Sequence, residues 1–98
     1  MPKAFFVYMM TNRPNGVLYI GVTSNLLQRV HQHRTGVING FTKRYNLHHL
    51  VWFEAHATAE TALHREKRMK EWKRAWKIKR IEAMNPGWCD LFEQIAVA

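Results

Sequence analysis

An unbroken apolar run, Phe5-Phe6-Val7-Tyr8-Met9-Met10, restricts the possible folds more than any other feature of this chain. With no polar side, it cannot be a surface helix or a half-buried strand, and it predicts a strand covered on both faces. The run is too short to span a bilayer and no small-residue cleavage site follows it, so neither a membrane span nor a signal peptide is expected. Asn12-Arg13-Pro14-Asn15-Gly16 comes next, dense in turn formers, and Val17-Leu18-Tyr19-Ile20 follows as a second strand. The two predict a β-hairpin in which Tyr8 and Tyr19 are near neighbours; a proline in the loop leaves the register open.

Gly21 to Asn25 leads into a helix with Ser24 or Asn25 as N-cap, Leu26, Leu27 and Val30 as apolar stripe, and Gly36 as stop. Arg29 and His33, four apart, share one face of it. Val37 to Asn46 is expected as a surface loop with a short helical turn, carrying Lys43 and Arg44. Leu50-Val51-Trp52-Phe53 is a third strand. A second helix starts near Thr58, a good N-cap, with Glu60 in its first turn. Trp72 to Met84 is also helical in pattern, with Ala75, Trp76, Ile78 and Ile81 as anchors; the pattern leaves open whether it continues the second helix. Asn85-Pro86-Gly87 ends it, and Trp88 to Ile95 closes the chain. With no repeat or linker, 1–98 is expected as one domain, its core at about 3–84 and a closing segment at 85–98.

Charge narrows the function. Lys and Arg total 15 against 7 Asp and Glu, a net +8, with a sequence pI near 10.2. That surplus on 98 residues points to a polyanionic partner, because cations placed at phosphates release condensed counterions. One cysteine, Cys89, excludes an internal disulfide, fits a reducing, cytoplasmic location and is expected as a small buried hydrophobe. Six histidines include His31-x-His33 and His48-His49, but their spacing matches no zinc pattern.

Glu66 breaks a local rule. The second helix has the apolar stripe Ala59, Ala62, Leu63, Met69, and Glu66 falls within it, three and four positions from Leu63 and Ala62. A carboxylate on a semi-buried face must be paired or hold a metal. The plainer alternative is an edge residue bridged to a neighbouring arginine. Arg29 has the same ambiguity between a surface ion pair and a phosphate clamp.

The order Phe6-Val7-Tyr8, then Tyr19-Ile20-Gly21, then Arg29 and His33, then Glu66 resembles the GIY-YIG nuclease domain over about Lys3 to Met84, most of all its small stand-alone bacterial members. The second motif matches in full and the two tyrosines stand 19 − 8 = 11 positions apart. Phe6 replaces the glycine of the family name. The resemblance implies an α+β fold, a small three-stranded antiparallel sheet flanked by helices. It also implies an endonuclease hydrolysing phosphodiester bonds in DNA with one divalent cation, Mg2+ or Mn2+, in a structure-directed repair or recombination role. Glu66 would hold the metal, Arg29 would neutralise transition-state charge, Tyr8 and Tyr19 would orient the attacking water, and Tyr19 or His33 would take its proton. Asn85 is the candidate for the family's asparagine, although it lies 85 − 66 = 19 positions beyond the glutamate and could instead cap a helix before Pro86.

Lys43, Arg44, Lys67, Arg68, Lys70, Lys73, Arg74 and Lys77 would bind the nucleic-acid backbone, with Trp72 and Trp76 interleaved among the last of them. The rival expectation is a non-catalytic nucleic-acid-binding module of the same fold. So small a nuclease has little surface for specificity, which favours a protein partner that directs cutting; monomer and homodimer are both open.

Overall fold

β1 (Phe5–Thr11) lies at the centre of a three-stranded antiparallel sheet, between β2 (Leu18–Thr23) and β3 (His49–His56), in a computed structural model that describes residues 4–37 and 40–96. The helices are α1 (Leu26–Thr35), α2 (Phe41–Arg44), α3 (Ala59–Lys70), α4 (Arg74–Met84) and α5 (Phe92–Ala96). The apolar run is central because both its faces are covered. Val7, Met9, Ile20 and Trp52 pack with Ala62, Met69 and Ile81 from α3 and α4. On the opposite face, Tyr8, Met10 and Leu50 pack with Leu26 and Val30 of α1 and with Leu91. Successive residues of one strand thus fill two cores, as the two-residue period of a strand requires.

Local signals set the helix ends. Asn25 accepts from the Gln28 backbone N–H and caps α1, and Gly36 ends it in the left-handed region at φ 73°. Thr58 caps α3 in the same manner. The pattern from Trp72 does not continue α3: the backbone turns through Glu71–Lys73, with Glu71 N–H still donating to Arg68 O, and α4 starts afresh.

Five expectations about burial need correction. Ala75 and Trp76, expected as anchors of the last long helix, are exposed because α4 turns that side to solvent. Leu27 and Leu63 are 43% and 54% exposed, because α1 and α3 each meet the sheet along a narrower stripe than their apolar residues suggest. Cys89 is exposed: Asn85 holds its backbone N–H and carbonyl, and the buried side chain at this turn is that of Trp88.

The closing segment extends the β3 side of the sheet. Leu91 N–H donates to Leu50 O at 2.7 Å, and Asp90 accepts from the Leu50 and Phe92 N–H groups while pairing with Arg34. Asn85 holds its start: Nδ2 donates to Val51 O at 3.1 Å and Cys89 O at 2.8 Å, and Oδ1 accepts from Cys89 N–H at 3.0 Å. No helix among the described residues is long and apolar enough to cross a membrane.

Candidate functional site

The β1–β2 register decides how the tyrosines meet. Tyr8 stands opposite Gly21, and Tyr19 stands opposite Met10, so the rings are diagonal neighbours on one face with centroids 6.2 Å apart. Gly21 makes this possible. A Cβ there would lie 2.6 Å from Tyr8 Oη, 2.7 Å from its Cζ and 2.9 Å from Tyr19 Cε2. A glycine inside a strand is the sequence signal for such a close approach; Gly21 entered the sequence reading as the start of a turn and as the last residue of the second motif, not for this approach.

α1 adds the third ring. Leu26, Val30 and His33 form its buried stripe, and His33 is only 2% exposed. Its Nε2 shares a 2.9 Å hydrogen bond with the Tyr8 hydroxyl, with the donor set by the imidazole tautomer. Its ring lies 5.7 Å from that of Tyr8 and 5.5 Å from that of Tyr19. Burial, reinforced by the nearby Arg29 guanidinium, pushes the His33 pKa down from 6.5 to about 4. Burial first, and then Tyr19, holds the Tyr8 phenol protonated well above its usual range; Arg29 opposes that shift and Glu66 adds to it. At neutral pH both partners of the bond are therefore uncharged.

A pH effect follows. Unfolded His33 binds a proton below about pH 6.5 while the folded ring resists until about pH 4. Between those values the unfolded state binds more protons, so stability falls as pH falls, by a total on the order of 3 kcal/mol. Chemical denaturation from pH 7 to pH 4 should show this decline, and His33→Gln should flatten it.

Glu66 of α3 is close enough to act electrostatically on Tyr8. It lies one turn from Ala62 and from Met69, the two buried residues of the helix, with its side chain 20% exposed. Its ion pair is a loose one, 3.6 Å from Nζ of the exposed Lys70. Arg29 is half-buried and makes no ion pair among the described residues. Both charges act on Tyr8. Tyr8, Tyr19, Arg29, His33 and Glu66 thus form one electrostatic neighbourhood, built from two strands and two helices. No group of three or more His, Cys, Asp or Glu side chains able to hold a metal occurs among the described residues. A half-buried carboxylate with little neutralisation suits a hard cation that keeps most of its waters.

Asn85 is not brought into this cluster. Its amide is directed at backbone groups of β3 and the closing segment, the tether described above. Asn85→Ala should cost about 1–3 kcal/mol by leaving buried backbone groups unpaired. Thermal denaturation should show the loss; an unchanged Tm would reverse that assignment.

The expected binding residues divide. Lys43, Arg44, Lys67, Arg68, Lys70 and Lys73 are exposed. Lys77 is half-buried with Nζ 3.5 Å from Lys70 O. Arg74 is a strut: its Nη2 donates to Asn15 O at 2.8 Å and to Gly16 O, joining α4 to the β1–β2 turn.

The GIY-YIG catalytic-domain model matches residues 4–79. Among solved structures, the UPF0213 protein BH0048 from Bacillus halodurans, determined by solution NMR, superposes with a TM-score of 0.56 at 22% identity, covering 87% of this chain and 89% of that one. The likeness is one of fold. No curated protein matches this chain.

Proposed function

Because the chain belongs to the GIY-YIG family, whose catalytic-domain model spans residues 4–79, we propose that it is a metal-dependent endonuclease. It hydrolyses phosphodiester bonds in DNA and is directed by substrate structure, as in cytoplasmic repair or recombination. The carrying observation is the half-buried Glu66, loosely paired and electrostatically coupled to Tyr8.

Glu66 is the residue that would hold Mg2+ or Mn2+; when bound, the ion supplies charge stabilisation at the scissile phosphate and its leaving oxygen. Arg29 makes no ion pair with a carboxylate among the described residues, and its planar fork suits phosphoryl oxygens, where it offsets the charge that builds in the transition state. Tyr8 enters the reaction as a neutral phenol oriented by His33. Tyr8 and Tyr19 orient the attacking water, and its proton passes to Tyr19 acting as the phenolate or to the neutral His33 imidazole. The reaction is a hydrolysis: water oxygen bonds to phosphorus, the P–O bond to one nucleotide breaks, and the leaving oxygen is protonated from solvent.

Backbone binding falls to the exposed cations of α2, α3 and the α3–α4 corner. DNA affinity should fall steeply with salt. Replacing Lys70 and Lys73 by Gln should reduce the log–log salt slope by about 2 if each meets one phosphate. Arg74→Gln should instead lower stability, since it releases the turn. Incubation of labelled branched, flapped, single-stranded and duplex DNA with Mg2+ or Mn2+ tests the activity itself. Binding without any nicking across that panel makes the domain a nucleic-acid-binding module of the same fold.

A further inference from the structure

Trp76 is the one tryptophan that no core accounts for. Trp52 and Trp88 are 3% and 6% exposed, and the Trp88 Nε1–H donates to Glu82. Trp72 is half-buried against the sheet core, with Arg65 5.1 Å and Arg80 5.9 Å from its ring centroid. Trp76, one turn further along, is 55% exposed. Leaving so large an apolar ring in water forgoes burial that the fold gains from the other three.

Its surroundings are cationic. Lys73 Nζ lies 5.8 Å from the Trp76 ring centroid. Trp76 also walls a concavity of about 510 Å3 with Trp72, Lys79, Arg80 and Ala83, and no carboxylate lines it. That volume is within the ~300–1,000 Å3 of small-ligand clefts. An aromatic face framed by lysine and arginine is the chemistry that receives a nucleobase and the phosphates on either side of it. In a duplex the base faces are covered by their neighbours, so a ring of this kind can stack only on an unpaired base.

We infer that the Trp76 face is a stacking platform for an unpaired base of a single-stranded or flapped substrate, with Lys73, Lys79 and Arg80 at the flanking phosphates. The inference rests on the nucleic-acid reading above and specifies its substrate class. The platform is continuous with the helix that carries Glu66, because Arg65, the preceding residue, stacks on Trp72 in the same surface. A bound flap would thus be held beside α3 by contacts independent of sequence.

The test uses the full chain carrying Glu66→Ala, without divalent cation, so that nothing is cut. Binding is read by fluorescence anisotropy with a fluorescein-labelled thymidine single strand and a labelled linear duplex with fully paired strands at one salt concentration. Trp76→Ala should weaken single-strand binding about tenfold, the range of one lost base–aromatic stack, and duplex binding by no more than about twofold. Trp76→Phe should restore most of the loss. Equal losses on both probes, or single-strand binding unchanged in Trp76→Ala, would overturn the platform while leaving the nuclease proposal intact. Failure of the Trp76-intact protein to bind either probe would remove the nucleic-acid reading itself.

Discussion

Glu66→Ala is expected to lower metal-dependent nicking by roughly 10²–10³-fold, the range for removing one group that stabilises transition-state charge. The fold should survive. Glu66 makes one ion pair, with an exposed lysine 3.6 Å away, and such pairs contribute little, while alanine is the better helix former. Circular dichroism and nucleic-acid affinity should therefore match the parent protein while cleavage of labelled flapped and branched DNA is lost. Arg29→Ala should behave similarly, for it too lacks a salt-bridge partner among the described residues. Normal cutting by either variant would remove the replaced residue from the site.

The second large effect is predicted at a residue with no reactive group. In Gly21→Ala the new methyl must occupy space 2.6 Å from Tyr8 Oη and 2.7 Å from Cζ. Tyr8 cannot easily withdraw: it is 1% exposed, lies on the central strand and is bonded to the buried His33. Overpacking of this kind costs about 1–3 kcal/mol, a fall in Tm of roughly 5–20 °C for a chain of this size. Activity should fall further than stability, since the methyl moves both tyrosines and the 2.9 Å Tyr8–His33 bond together. A Gly21→Ala protein with unchanged Tm and nicking rate would mean that the tyrosine pair has slack, and that its spacing is not what the site depends on.

Much of the scaffold was legible because its signals are local. A continuous apolar run must be covered on both sides wherever it lies. Asn25, Gly36 and Thr58 act on their own helix ends through hydrogen bonds or backbone conformation within a few residues. Glu66 was visible for a related reason: helical periodicity placed a carboxylate among packing residues. Other positions depended on what lay opposite them. Leu27 and Leu63 have the spacing of core residues, yet the elements beside them leave them 43% and 54% exposed. Arg74 reads as one more cation of a basic helix until the β1–β2 turn is seen to bring two carbonyl oxygens to it. Asn85 matched a family residue by type, but the carbonyl of Val51, 34 positions earlier, claims its amide.

The sequence by itself determined a central buried strand, a hairpin beside it, capped helices and a strongly cationic surface, because these follow from patterning, end-capping and charge. Only the tertiary structure decided that Tyr8 meets Gly21 and not another residue of β2, that His33 is buried and held neutral, and that Trp76 alone of the four tryptophans remains in solvent. Each of those outcomes depends on register and on which surfaces pack together. Those are set by the whole fold, and the proton affinity and exposure of a side chain respond to that packing.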